Sequence, residues 1–418
     1  MRQKSKRLVQ SIRPSRVITF LTICFISAVV ITNYQYISGF NKQELIKNAN
    51  GKSQDLQIQQ LAFQTAITPR EIQDMHITPR AYPLNNNFPC VEDDNPELKD
   101  AGFLFIKLQK CASSTVANIV KRISKKYGKK NLKKGEACKV HCTHGFAFNL
   151  PNIHKRRRAK SFLFTFIREP TDRFVSDFFY HGVSKEKMNP SLANFTTFVD
   201  KSMLAFKGLG GYEFPYILTD KAMVPPQTAE YTFWNPNHPN VVQNPLLLKE
   251  RVEYILHDFD FIGISGRMDE SLVAFALLLK IPLTDVLYQA SRRVSGGYDF
   301  NKPTGECFKM MKSTTTVDMK KYFDTVEWKA KIAGDDLLYR AANANLDKTI
   351  LVSIGKEKFK KKLKMYREVK NIMDGVCGDA DCGICTATGE IRTRSGIDPR
   401  CDINKCIANA MSIWKGNN

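Results

Sequence analysis

Two segments of this chain pass from an apolar run through a short polar loop into a helical pattern. The first run, Phe103–Leu108, predicts a buried strand, and apolar residues at helical spacing follow it from Val116 to Ile123. The second run, Ser161–Ile167, predicts another buried strand, and phenylalanines at helical spacing follow Pro170, a residue favoured at the first position of a helix. This alternation predicts an α/β fold with a parallel sheet flanked by helices.

The loop after the first strand, Lys110-Cys-Ala-Ser-Ser-Thr115, has the composition of an anion-binding loop. A loop that opens a helix presents free backbone N–H groups and the positive end of the helix dipole, and the lysine and hydroxyls add further donors. The Walker A pattern is absent and no Asp is placed to complete a magnesium site, which argues against an ATPase or a kinase. Taken alone, the loop is equally compatible with a strand–helix turn that carries a surface lysine.

A second group of anion-binding residues follows the second strand, in Arg168-Glu-Pro-Thr-Asp-Arg-Phe-Val-Ser176. The guanidinium of Arg168 suits a phosphate dianion, and Ser176 lies about two helical turns further on. Because ligands of a parallel α/β sheet collect at the carboxyl ends of its strands, both segments offer donors at one edge. Two phosphate sites without a metal site indicate a nucleotide that carries phosphates at two positions.

The two segments together resemble the cofactor site of the Golgi carbohydrate sulfotransferases, which use 3′-phosphoadenosine 5′-phosphosulfate (PAPS). The family motif Lys-Thr-Gly-Ser-Ser-Thr corresponds to residues 110–115, and Arg-Asp-Pro-x-x-Arg-Phe-x-Ser corresponds to residues 168–176. The resemblance covers about residues 100–350. It implies a P-loop-like central parallel sheet flanked by helices, the PAPS-dependent sulfotransferase fold.

Later segments resemble the galactose-3-O-sulfotransferase branch of that family. Phe259–Ser265 followed by Met268–Val273 is similar to a late strand and helix of the branch, and Asp336–Tyr339 with Asn343 is similar to its C-terminal helix. The resemblance therefore implies sulfuryl transfer to a galactose hydroxyl on a glycolipid or glycan.

The first loop departs from the family motif. Cys111-Ala112 replaces Thr-Gly, and Gln109 stands where a His usually precedes the lysine. Alanine lacks the backbone freedom of glycine, so we expect a loop that curls less tightly, and Cys111 removes a hydroxyl. The lysine and the following hydroxyls are retained, and the resemblance still implies activity.

The resemblance implies a role for each residue of the two motifs. The acceptor hydroxyl attacks sulfur in line and the 3′,5′-diphosphate leaves, with no metal required. Lys110 would stabilise charge at the sulfuryl group, the loop would hold the 5′-phosphosulfate, and Arg168 with Ser176 would hold the 3′-phosphate. The predicted donor-binding residues are Lys110, Cys111, Ala112, Ser113, Ser114, Thr115, Arg168, Ser176, Arg292 and Arg293. The last two belong to a basic stretch that is equally compatible with a solvated loop.

A histidine is the natural base for the acceptor hydroxyl near neutral pH. His144 is preferred, because the segment that begins there best resembles the His-x-x-Phe-Asn pattern of related enzymes, and His141 is second. A structural or surface histidine is the alternative. Tyr212 and Trp234, in loop-like segments, are candidates for stacking on the acceptor sugar, on composition alone.

The N-terminus predicts a location. Residues 1–16 carry six Lys/Arg and no acid, and Val17–Ile37 supplies the length of about 20 residues that a membrane span needs. The basic flank leaves the N-terminus cytosolic and the bulk of the chain lumenal. A cleaved signal peptide is the alternative, although no small-x-small site follows the apolar run. A Golgi membrane protein of type II is the arrangement this predicts.

The domain organisation follows from that location. The formal charge of +22 favours a polyanionic partner, but a lumenal domain does not meet nucleic acid. We expect a basic cytosolic tail (1–16), a transmembrane signal anchor (17–37), a lumenal stem (38–98), a sulfotransferase domain (99–375) and a cysteine-rich C-terminal extension (376–418). The run Lys155–Arg158 either binds an acidic acceptor or is merely solvated.

Eleven cysteines and one sequon complete the sequence features. Cys382-x-x-Cys385 with Cys401 and Cys406 admits a zinc site, but an oxidising compartment favours disulfides. Asn194-Phe-Thr196 is a glycosylation sequon, in keeping with a lumenal domain.

Two alternatives to a galactose sulfotransferase stay open. A hexuronyl 2-O-sulfotransferase acting on glycosaminoglycan would suit the basic surface. A catalytically silent Golgi glycan-binding protein would explain the altered loop, although such a module has no need of Lys110, Arg168 and Ser176 together.

Overall fold

The computed structural model describes residues 71–72, 103–127, 141–143, 158, 161–202, 245–289, 297–301, 304–378, 384–386, 388–391 and 401–417, all within the unit Ala62–Asn418. The predicted cytosolic tail and membrane anchor lie outside these residues. Within the described part of the chain, no helix combines the length and apolar character needed to cross a membrane.

The centre of the fold is a sheet of four parallel strands in the order β2-β1-β3-β4. The strands are β1 (Phe103–Ile106), β2 (His141–Thr143), β3 (Phe162–Ile167) and β4 (Phe261–Ile264). Every residue of β1 and β3 is buried, as expected for apolar strands covered on both faces. The predicted parallel α/β sheet is confirmed.

Helices surround the sheet and extend beyond it. The α-helices of the described residues are α1 (Ser113–Tyr127), α2 (Pro170–Asp177), α3 (Leu192–Ser202), α4 (Pro245–Asp258), α5 (Met268–Leu279), α6 (Val317–Phe323), α7 (Val326–Lys331), α8 (Ala333–Lys348), α9 (Lys356–Cys377) and α10 (Ile403–Gly416). Helix α2 continues directly into a π-helical segment, Phe178–Lys185, and α8 into another, Thr349–Gly355. A hairpin of β5 (Tyr298–Asn301) and β6 (Glu306–Lys309) lies beside the first π-helical segment.

Aromatic rings on β1 and β3 form the core of the sheet. The parallel register sets Phe103 opposite Phe162 and Phe105 opposite Phe164, so their rings lie on one face of the sheet. The rings of Phe105 and Phe164 stack at 5.0 Å, and Phe275 of α5 covers Phe164 at 5.0 Å. Such aromatic pairs contribute about 0.5–1.5 kcal/mol each beyond the area they bury, and here they hold β1 against β3.

A second apolar cluster forms where α2 and its π-helical continuation leave the sheet. Phe174 and Phe178 meet Phe195 of α3 and Trp328 of α7, with ring centroids about 5.5 Å apart. The indole N–H of Trp328 donates to the hydroxyl of Thr171 at 3.1 Å. This cluster positions the π-helical segment next to the edge of the sheet.

The far end of α1 is held by polar contacts to the 3₁₀ turn Leu283–Val286. Lys126 Nζ lies 2.7 Å from Asp285 Oδ1, and Arg122 donates to the backbone oxygens of Asp285 and Leu287. These contacts fix the direction of α1, and so the place where its first turn meets the preceding loop.

Disulfides connect the C-terminal part of the fold. Cys307 of β6 is bonded to Cys385, Cys377 of α9 is bonded to Cys406 of α10, and Cys401 is also disulfide-bonded. The preference for disulfides is confirmed at these positions. The alternative of a zinc site is wrong for Cys385, Cys401 and Cys406, because a sulfur in a disulfide cannot serve as a thiolate ligand.

Gly263 in β4 allows the sheet to pack against Phe166. A Cβ atom at this position would lie 2.5 Å from the buried Phe166 ring, whereas a Cβ at Gly266 would meet no atom within 4 Å. We expect Gly263→Ala to lower the free energy of unfolding by about 1–3 kcal/mol through overpacking, measured by urea denaturation. The matched control Gly266→Ala should stay within about 0.5 kcal/mol of the parent protein. Equal losses in the two variants would contradict the packing described here.

Candidate active site

The two polar loops emerge side by side from the sheet. At its carboxyl edge Ile106 of β1 pairs with Thr165 of β3, and the Thr165 hydroxyl donates to the Ile106 carbonyl at 2.8 Å. The chain runs from β1 outward to β2 and then returns past β1 to β3, so this edge is a topological switch point. Arg168 Nη1 donates to the backbone oxygen of Lys110 at 3.4 Å, which joins the two loops directly.

Two residues of the first loop adopt left-handed backbone conformations before the helix begins. Lys110 has φ +63° and Ala112 has φ +56°. Ala112 thus adopts the conformation for which glycine is suited, at a cost of roughly 1–2 kcal/mol. The expectation of a less tightly curled loop is wrong, because the backbone turns here with an alanine in place. Helix α1 follows at once, and Val116 N–H donates to the Ala112 carbonyl at 3.1 Å.

The side chains of this loop divide between the core and the edge. Cys111 is buried, and its thiol donates to the Gln109 carbonyl at 3.3 Å. Ser113 is buried, Thr115 is half-buried and Ser114 is exposed. These three hydroxyls lie in the first turn of α1, where backbone N–H groups have no partner within the helix. The arrangement offers an anion both backbone and side-chain donors.

Lys110 carries the charge at the centre of this edge. Its ammonium nitrogen lies 3.9 Å from the centre of the Tyr180 ring, and the Tyr180 hydroxyl donates to Asp299 Oδ2 at 2.9 Å. Burial, reinforced by the charge of Arg168, lowers the pKa of Lys110 to about 8, against the opposing effect of Asp177 and Asp299. An anion bound beside the ammonium would raise this pKa.

The two arginines of the second motif lie in different places, one at the carboxyl edge of the sheet and one in the core. Arg168 is half-buried where β3 ends, and Pro170 begins α2 as predicted, with the Glu169 carboxylate capping the helix. Arg173 is fully buried, with Nη1 3.8 Å from Asp177 Oδ2 and its guanidinium 3.8 Å from the Phe174 ring centre. Ser176 is half-buried on α2. Of these arginines, Arg168 is the one at the carboxyl edge with Lys110.

Several residues at this edge were not predicted from the sequence. They are Asp177, Tyr180, His181, Lys185 and Asp299. All but Asp299 follow Ser176 within three helical turns. Their closeness in sequence to the second motif could therefore have identified them as candidates. Asp299 is 119 residues from Tyr180 in the chain, and nothing in the sequence links the two.

Other predicted residues lie outside the described part of the chain. They are His144, Tyr212, Trp234, Arg292 and Arg293. His141 is described in its backbone alone, in β2 opposite Leu104. Asn194 lies near the start of α3, where its side-chain amide donates to the Asn189 carbonyl at 3.0 Å. The roles assigned to these residues stay predictions.

The geometry defines an α/β protein in which Lys110 and Arg168 meet at the switch point of the sheet. Residues 98–284 match a protein-family model described as the sulfotransferase family, a range that includes both loops and all four strands of the sheet. No curated protein and no solved structure matches the chain. The family match supports a sulfotransferase, and this family implies PAPS as the sulfate donor. Within the described residues, no group of three or more His, Cys, Asp or Glu side chains is placed to hold a metal ion.

The lowered pKa of Lys110 gives a direct test of this geometry. In protein free of bound anions, we expect the Lys110 side chain to titrate with a midpoint of about 8 because it is buried, compared with about 10.4 for an ordinary lysine. Heteronuclear NMR of the lysine side chains would follow the titration, with Lys110→Arg identifying the resonance. Inorganic sulfate should raise the midpoint. A midpoint near the ordinary value in sulfate-free buffer would show that Lys110 is not buried against Tyr180.

Proposed function

We propose that this protein transfers the sulfuryl group of PAPS to a sugar hydroxyl, namely the 3-hydroxyl of galactose on a glycolipid or glycan. The observation that carries the proposal is the meeting of Lys110 and Arg168 at the ends of β1 and β3. A lysine, an arginine and the first turn of α1 suit a donor with anionic groups at two positions.

The residues of this edge fit the two anionic ends of the donor. The first turn of α1, with Ser113, Ser114 and Thr115, holds the 5′-phosphosulfate through backbone N–H groups and hydroxyls. Arg168 and Ser176 hold the 3′-phosphate, with the guanidinium as a planar donor. The donor supplies an activated sulfuryl group whose leaving group is 3′,5′-ADP.

Lys110 stabilises the charge that develops during transfer. The ammonium lies on the same loop as the anion-binding N–H groups, and its low-dielectric surroundings strengthen its interaction with an anion. The acceptor hydroxyl loses a proton as it attacks, and the sequence predicts His144 as the base. Each role uses a side chain of this chain and no metal ion.

The acceptor is proposed from the resemblance of the later segments to the galactose branch. These segments form β4, α5 and α8, which pack together beside β3. Tyr212 and Trp234 are proposed to stack on the acceptor sugar.

A lumenal location is proposed from the N-terminal sequence. The proposed anchor, Val17–Ile37, has a basic flank that would keep the N-terminus cytosolic. The two disulfides Cys307–Cys385 and Cys377–Cys406 support an oxidising compartment. The proposed site of action is therefore the Golgi lumen, with the chain held in the membrane as a type II protein.

A transfer assay tests the proposed function. The full chain, given radiolabelled PAPS, should label galactosylceramide or galactose-terminated oligosaccharides. Lys110→Ala and Arg168→Ala should each lower kcat/KM by about 100-fold or more, because Lys110 stabilises charge that develops in the transition state and Arg168 binds the 3′-phosphate of the donor. Arg158→Ala, which removes a charge near the opposite end of β4 beside Asp260, should stay within about threefold of the parent protein.

The other acceptor classes are outcomes of the same assay. Label on desulfated heparan but not on galactosides would contradict the galactose acceptor and establish the hexuronyl alternative. PAPS binding without transfer to any acceptor would contradict the enzymatic proposal and favour a glycan-binding protein.

A further inference from the structure

His181 lies at the edge of the sheet although it belongs to neither motif. It is in the π-helical segment Phe178–Lys185, which continues α2 without a break after the helix leaves the end of β3. Such π-helical turns are rare in proteins, and those that do occur are frequently found at functional sites. The His181 side chain is 37% exposed, so an incoming substrate can reach it.

His181 and Lys110 pack against the same aromatic ring. The imidazole of His181 meets the Tyr180 ring edge-on with centroids 4.8 Å apart, and the Lys110 ammonium lies 3.9 Å from the centre of that ring. The Tyr180 hydroxyl is in turn fixed by Asp299. One ring, held at its far end, therefore positions an imidazole and an ammonium group beside each other.

Asp177 orients the imidazole. Its carboxylate is buried, and Oδ1 lies 3.6 Å from His181 Nε2, slightly beyond hydrogen-bond distance. Among the described residues, no donor makes a hydrogen bond to this oxygen. A buried carboxylate oxygen without a donor is unfavourable, and a small rotation of His181 would supply one from Nε2–H. That tautomer leaves the lone pair on Nδ1 as the proton acceptor.

The surroundings of His181, and burial most of all, favour its neutral form. Burial lowers the pKa of His181 below its ordinary value, and the nearby ammonium groups of Lys185 and Lys110 lower it further. The carboxylates of Asp177 and Glu186 act in the opposite direction. A neutral imidazole at neutral pH is the form that accepts a proton.

We propose that His181 accepts the proton of the acceptor hydroxyl during sulfuryl transfer and that Asp177 is the positioning residue that orients it. The proposal rests on the proposed function, and it assigns to His181 the role of base that the sequence predicts for His144. The acceptor O–H bond breaks as the acceptor oxygen bonds to sulfur, and the proton moves to Nδ1 of His181. The bond from sulfur to the 5′-phosphate oxygen breaks, and that oxygen keeps the electron pair. His181 then returns its proton to water.

Kinetics on the full chain test the role of His181. We expect His181→Gln to lower kcat by about 100-fold or more, the range typical of a lost general base, and to abolish the fall in kcat at acid pH. The affinity for 3′,5′-ADP, measured by calorimetry, should change by less than about threefold because the donor contacts remain. His257→Gln is the matched control, since His257 is exposed in the last turn of α4, at the opposite end of β4.

The rival base is tested beside it. If His144 is the base, His144→Ala loses turnover while His181→Gln keeps it within threefold of the parent protein, and this result overturns the proposal. A parent protein that binds 3′,5′-ADP but transfers no sulfate overturns the proposed function and the role of His181 with it. The two failures are therefore distinguishable.

NMR titration of the imidazole tests the arrangement without turnover. Lys110→Gln removes a neighbouring cation and should raise the pKa of His181, whereas Asp177→Asn removes the carboxylate and should lower it. Asp177 also lies beside the buried Arg173, so Asp177→Asn leaves that charge without its carboxylate and can prevent folding. In that case the Lys110→Gln variant alone decides the test. A pKa of His181 that is unchanged in Lys110→Gln would show that the two groups are not neighbours, and would overturn the proposal.

Discussion

The parallel pairing of β1 with β3 is the contact on which the candidate site depends. Their register sets Phe103 against Phe162 and Phe105 against Phe164, and the stacked rings fix the two strands without slippage. A shift of one residue would send these rings to the opposite face of the sheet. The same register brings the carboxyl ends of both strands to one edge of the sheet, so the Lys110 loop and Arg168 meet as a consequence of core packing.

Charged and polar side chains lie together at the edge of the sheet, next to both apolar clusters. Lys110 comes from the edge of the sheet core, and Tyr180, His181 and Lys185 come from the π-helical segment that packs into the second cluster. Burial lowers the pKa of Lys110, and repulsion from the guanidinium of Arg168 lowers it further. An anionic ligand would relieve that repulsion, which supports the proposed donor site at this edge.

Much of the sheet and part of the site were predictable from the sequence, and the reasons are local. The strand β1 is an unbroken apolar run and β3 is apolar except for Thr165, while Pro170 marks the start of α2. Composition and the spacing of apolar residues therefore suffice to find these elements. The π-helical continuation after Asp177 was not predictable, because its hydrogen-bond pattern has no sequence signature. The contact of Tyr180 with Asp299 and the pairing of Cys307 with Cys385 depend on tertiary folding, which spacing in the chain does not encode.

Calorimetric titration of the full chain with 3′,5′-ADP tests the central claim, that the edge between β1 and β3 binds the donor. We expect saturable binding to the parent protein. We also expect the affinity to fall by about tenfold or more in Lys110→Ala and in Arg168→Ala, since a hydrogen bond to a charged group contributes about 1.5–3 kcal/mol. Arg158→Ala should bind as the parent does. A folded parent protein that does not bind 3′,5′-ADP, or variants at Lys110 and Arg168 that bind it unchanged, would contradict the account.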